Sequence, residues 1–141
     1  MLQASFDAGA AFTRASVGNV HAIAHTLGGL YGTAHGLANA VLLPIVLEDY
    51  GVAAYPRLAR LAHLVGIQEA SAEASARAFI AEIRAMNARM GIPDHFDCIR
   101  SEDIPLMASW ACREANPVYP VPVIYDQARF ARVIERSCVK P

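Results

Sequence analysis

Gly18-Asn19-Val20-His21-Ala22-Ile23-Ala24-His25-Thr26-Leu27-Gly28-Gly29-Leu30-Tyr31-Gly32-Thr33-Ala34-His35-Gly36-Leu37-Ala38-Asn39-Ala40-Val41-Leu42-Leu43-Pro44 is the stretch on which the reading of this chain turns. It holds three of the five histidines and no formally charged residue. The four-residue step from His21 to His25 places both on one helical face, one turn apart. Gly28, Gly29 and Gly32 mark a turn, and His35-Gly36 opens a second apolar run, Leu37 to Leu47. The third imidazole therefore returns from the start of a second helix toward the first two. Histidine is the commonest metal ligand and changes charge near neutral pH. A histidine in an apolar helix is also often a core residue bonded to a backbone carbonyl, so spacing alone supports a metal or proton-transfer site and nothing narrower. The segment reads His-Ala-Ile-Ala-His, without the glutamate of His-Glu-x-x-His, and a metalloprotease reading fails on that residue.

Outward from this stretch the pattern is helical throughout. Leu2 to about Ser16 is alanine-rich, with Phe6 and Phe12, and reads as a buried helix. The next helix runs from about Asn19, a candidate N-cap, to Leu30. A third begins near Ala34, where Pro44 is expected to kink it or end its regular part, and Glu48-Asp49-Tyr50-Gly51 is a polar stop. Pro56 to Leu64 predicts a short helix with Leu58, Leu61 and Leu64 on one stripe, ended by Gly66. Ser71-Ala72-Glu73 opens an amphipathic helix, Ala74 to Met90, carrying Phe79, Ile80, Ile83 and Met86 at period 3.6. Gly91-Ile92-Pro93 closes it. Ser101 to Pro105 reads as a cap and first turn leading into Leu106 to Ala115. Pro117, Pro120 and Pro122 then impose an extended segment, and Asp126 caps a last helix to about Cys138. Val118 to Tyr125 is the only β-rich run, and its prolines break it. The expectation is one all-α domain over residues 1–141, a bundle of six to eight helices without internal repeats.

With 141 residues, 55% of them hydrophobic, the chain can build one core. A net charge of −1 gives no electrostatic case for nucleic acid or an anionic membrane as partner. The arginines at 57, 60, 77, 84, 89, 129, 132 and 136 fall at helical spacings among acids and read as solvated faces. Cys98, Cys112 and Cys138 are odd in number and widely spaced, which argues against a disulfide framework and fits a reducing compartment. No basic-then-apolar leader opens the chain. The run Gly36 to Leu47 reads as too short to span a bilayer and as broken by Pro44, so the expectation is a cytoplasmic protein with no membrane partner. Charged residues make up 18%, against about 25% in ordinary domains, so apolar surface is either buried or shared with a partner. His63 and His95 read as surface or cap residues, Trp110 and Tyr119 as packing residues.

Val20-His21-Ala22-Ile23-Ala24-His25-Thr26-Leu27-Gly28 and Thr33-Ala34-His35-Gly36-Leu37-Ala38-Asn39-Ala40-Val41-Leu42-Leu43-Pro44 together closely resemble the signature of iron-containing (group III) alcohol dehydrogenases. More than a dozen positions match in register. Glu102-Asp103-Ile104-Pro105 and Asn116-Pro117-Val118-Tyr119-Pro120-Val121-Pro122 also look like that family's helical C-terminal domain. The resemblance covers essentially the whole chain. It implies that His21 and His35 ligate a divalent ion, iron(II) or zinc, and that His25 is a non-ligand catalytic residue beside the reacting carbon and the nicotinamide. It further implies an enzyme oxidising alcohols or reducing aldehydes with NAD or NADP.

The departures bear on this equally. The family draws two further ligands, an aspartate and a histidine four residues later, from an upstream helix, and its cofactor from a separate α/β domain with a glycine-rich turn. Gly-x-Gly-x-x-Gly does not occur in this sequence, and neither Asp7 nor Asp94 has a histidine four residues on. The ligand set is therefore expected to be incomplete, no cofactor-binding residue is assigned, and the chain by itself is expected to be inactive. The alternative is a non-catalytic truncated homologue, a helical module that self-associates or binds a partner. A homo-oligomer is expected in either case.

Overall fold

A computed structural model describes residues 1–138 and contains no strand among them. Seven α-helices follow in order: α1 (Leu2–Ala15), α2 (Asn19–Tyr31), α3 (His35–Tyr50), α4 (Tyr55–Leu64), α5 (Ala72–Arg89), α6 (Ile104–Ala115) and α7 (Gln127–Arg136). Short 3-10 turns at Gly51–Ala53 and Ser101–Asp103 precede α4 and α6. The all-α expectation holds, and the helix count falls within the predicted range. α2 lies between α3 and α6, α4 pairs with α5, α6 with α7, and α3 also packs on α5 and α7. One core runs through these contacts, with Ile23, Leu27, Leu42, Met107, Tyr125, Phe130 and Ile134 fully buried.

Two of the capping signals read from the sequence are found in place. Ser71 caps α5, its Oγ accepting from Ala74 N–H at 3.0 Å. Asp126 caps α7, its Oδ1 accepting from Arg129 N–H at 2.7 Å. These oxygens satisfy donors that the first helical turn leaves free. Asn19 does not cap α2. Gly18 holds the N-cap position, while Asn19 is buried in the first turn and donates from Nδ2 to Val123 O at 3.2 Å.

Pro44 does not end α3, which continues to Tyr50. A proline at 44 leaves the Ala40 carbonyl without its helical donor. Asn87 of α5 supplies one instead, donating from Nδ2 to Ala40 O at 2.7 Å. The expectation that this run is too short to span a bilayer is thereby corrected: His35–Ala53 is long and apolar enough by length and composition. Its Ala38, Val41, Leu42, Ile45 and Val46 are nonetheless buried in the protein core.

Three further expectations are corrected. α1 buries no residue, and Leu2, Phe6 and Phe12 are 91%, 71% and 51% exposed, because no described helix packs broadly along it. On α4 only Leu58 of the leucine stripe is buried, with Ala62 beside it one turn on, while Leu61 and Leu64 face outward. The buried row runs i, i+4 because α5 is the helix that chiefly covers α4. The arginines at 84, 129 and 136 are not simply solvated. Arg84 pairs with both oxygens of Glu48 at 3.1 and 2.9 Å, Arg129 with Asp49 at 2.7 Å, and Arg136 with both acids. Two carboxylates at the end of α3 oppose its dipole, and three guanidinium groups from α5 and α7 offset that charge.

Candidate metal and proton-transfer centre

Geometry at the α2–α3 corner follows from one glycine. Gly32 adopts φ +65°, a left-handed conformation open to glycine at little cost, and its N–H closes onto Gly28 O at 3.1 Å. The chain reverses, and α3 starts at His35 beside the face of α2 that carries His21 and His25. The ring centroids of His21 and His35 lie 5.3 Å apart, those of His25 and His35 5.3 Å, and those of His21 and His25 6.0 Å. All three predicted residues are thus brought together. His63 and His95 lie elsewhere: His63 is exposed against Gln68, and His95 is held between Asp94 and Asp97.

Each imidazole has a distinct surrounding. His21 is half-buried, and its pKa is lowered by burial first, then by His35 and His25, with Glu114 acting the other way. The neutral ring, the form that ligates metal, is favoured there. His35 is exposed, with Asn39 Nδ2 3.0 Å from its Nε2 and bonded also to its carbonyl at 2.9 Å. His25 is 44% exposed, and its Nδ1 lies 2.7 Å from Glu114 Oε1. The same carboxylate oxygen accepts from the Tyr119 hydroxyl at 2.6 Å. Burial and then this carboxylate push the Tyr119 hydroxyl up to about 12, so it remains a donor.

Glu114 and the polar role of Tyr119 escape a reading of the sequence. Glu114 stands 89 residues from His25, on α6, and no local periodicity connects them. Tyr119 does pack against the core, as expected, but its hydroxyl serves the histidine side.

A cavity of about 450 Å³ opens beside His21, lined mainly by apolar groups, among them Phe12, Val20, Leu43, Val121 and Pro122, with Tyr50 and Asn39. The Phe12 ring lies 6.5 Å from that of His21. A larger cavity of about 590 Å³, between α3 and α5, is lined by none of the three imidazoles.

Neutral imidazoles suit iron or zinc rather than magnesium or calcium. With metal–nitrogen distances of ~2.0–2.1 Å, two imidazoles on one ion place their ring centres roughly 5 Å apart. The 5.3 Å between His21 and His35 agrees. Among the described residues, however, no three His, Cys, Asp or Glu side chains are gathered into a group able to hold an ion. The pair fits part of a coordination sphere.

Comparison with known proteins gives a concordant result. The Fe-containing alcohol dehydrogenase family, C-terminal, matches residues 1–137. The chain is 43% identical over 120 residues to 1,3-propanediol dehydrogenase of Klebsiella pneumoniae, covering 82% of this chain and 31% of that one. It is 36% identical over 126 residues to lactaldehyde reductase of Escherichia coli K12, covering 83% and 33%. The solved structure of an alcohol dehydrogenase from Oenococcus oeni superposes with a TM-score of 0.82 at 32% identity, over 92% of this chain and 35% of that one. The chain spans about a third of the length of the proteins it resembles.

Proposed function

The chain belongs to the Fe-containing alcohol dehydrogenase family, and we propose that it forms the helical, metal-ligating part of an enzyme that interconverts an alcohol and an aldehyde with NAD or NADP. The observation that carries this reading is the convergence of His21, His25 and His35 at one helix–turn–helix corner. His21 and His35 would hold iron(II) or zinc. A divalent ion bound there would polarise the alcohol oxygen and lower its pKa. The lowered pKa of His21 keeps that ring neutral and able to ligate. His25 would hold and pass a proton beside the reacting oxygen, with Glu114 behind its Nδ1. The cavity beside His21 would receive the alkyl part of a small substrate and exclude water from it.

In this proposal the remaining ligands and the nucleotide-binding part come from residues outside this chain, so the 141 residues alone give no turnover. The test is a fusion of this chain behind the first two-thirds of the Klebsiella 1,3-propanediol dehydrogenase, assayed for NADH formation with short primary alcohols. Turnover is expected, and is expected to disappear in His21→Ala and His35→Ala. Turnover that survives both substitutions would remove the metal role from these residues. A second reading, a non-catalytic module that associates through apolar surface, draws on the exposed Leu2, Phe6 and Phe12 of α1. Background activity in the fusion, with the isolated chain forming a homo-oligomer by light scattering, would favour it.

A further inference from the structure

Among the described groups around the three imidazoles, a carboxylate meets His25, the ring that is assigned no part in metal ligation. Glu114 projects from α6 and ends on His25. A neutral imidazole carries a single proton, and the partner of one ring nitrogen decides which nitrogen bears it. A carboxylate is acceptor-only, so a ring nitrogen 2.7 Å from it must bear hydrogen; a lone pair there would be repelled. We propose that Glu114 is a positioning residue that holds neutral His25 as the Nδ1–H tautomer, leaving the lone pair on Nε2. This is the opposite of the tautomer that free histidine favours.

The carboxylate is itself fixed. Its Oε1 accepts from Tyr119 as well as from His25, two donors on one oxygen. Tyr119 is in turn anchored, its N–H donating to Ala115 O at 2.8 Å at the end of α6. Asn116 donates to Tyr125 O at 2.8 Å and holds the same segment against the core. The acceptor aimed at His25 is therefore built from the helix that α2 packs on, with no reliance on a bound ion.

The inference rests on the reading of His25 as the proton-carrying residue, but its test does not require activity. Long-range 1H–15N correlation of the histidine rings in the 141-residue chain, above pH 8, reports directly which nitrogen is protonated. The wild-type chain is expected to show His25 mainly as Nδ1–H. In Glu114→Ala the major form is expected to become Nε2–H, while His63 and His95 keep their resonances and report an intact fold. Glu114→Gln, whose amide oxygen can still accept, is expected to restore the Nδ1–H form. Wild-type His25 found mainly as Nε2–H, or an unchanged Nδ1–H form in Glu114→Ala, would overturn the assignment. An inactive fusion with the expected tautomers would count against the proposed function alone.

Discussion

The first and last helices make opposite use of their composition. α1 is alanine-rich and carries Leu2, Phe6 and Phe12, yet contributes nothing to the core. α7 is densely charged, with three arginines and a glutamate among its ten residues, yet Phe130, Val133 and Ile134 are each fully buried. The difference is pattern and partner. Positions 130, 133 and 134 repeat at i, i+3 and i+4 and form one narrow stripe that α6 covers. The two phenylalanines of α1 stand six residues apart and meet no broad neighbour among the described residues. Hydrophobic content brings a helix into the core only where another element is present to meet it. The histidine centre lies toward the loosely covered side, with the Phe12 ring beside His21, which is where a site that must admit substrate and further ligands belongs.

This contrast can be broken or sharpened by substitution. Phe130→Ala is expected to cost about 3–5 kcal/mol in urea unfolding, because a buried ring is lost and a cavity left. Asn87→Ala is expected to cost about 1–3 kcal/mol, since it strips the half-buried Ala40 carbonyl of the donor that replaces the missing Pro44 N–H. A cost near zero would mean that α3 does not depend on that bond.

A smaller, pH-dependent effect is expected at the turn bonded to the end of α7, where Phe96 N–H meets Ser137 O at 2.8 Å. The hydrogen bond to Asp94, and then Asp97, hold His95 above its ordinary value of 6.5. A raised folded value stabilises the protein fully below pH 6.5 and loses that contribution as pH rises through the folded value. His95→Asn should therefore lower Tm at pH 5.5 and leave it little changed at pH 9, and the reverse order would show that the carboxylates do not charge the ring. Smallest of all, Phe6→Ala is expected to change unfolding free energy by less than about 0.5 kcal/mol. Its effect should appear in light scattering instead, as weaker association. A core-like cost would show that α1 packs onto the rest of its own chain.

Much of the architecture was readable because its signals are local. The Ser71 and Asp126 caps act within three residues, and the stripe of α7 follows a helical period. The meeting of His21, His25 and His35 was readable for the same reason: a four-residue step, a glycine turn and a helix start lie within one short stretch. What escaped depends on distant partners. The Glu48–Asp49 cluster draws on arginines 36 to 88 residues away, and the tolerance of Pro44 rests on an amide from α5. The bareness of α1 is likewise a property of what lies around it. Glu114 belongs with these, since nothing near it in sequence distinguishes it from a solvated helix acid.

A metal titration of the 141-residue chain by calorimetry, with zinc(II) and, anaerobically, with iron(II), tests the ligand roles of His21 and His35 most directly. One weak site per chain is expected, lost in His21→Ala and in His35→Ala, retained in His25→Ala, and emptied by a chelator on dialysis. Binding that is unaffected by the His21 and His35 substitutions, or that is tight enough to survive the chelator, would contradict that expectation.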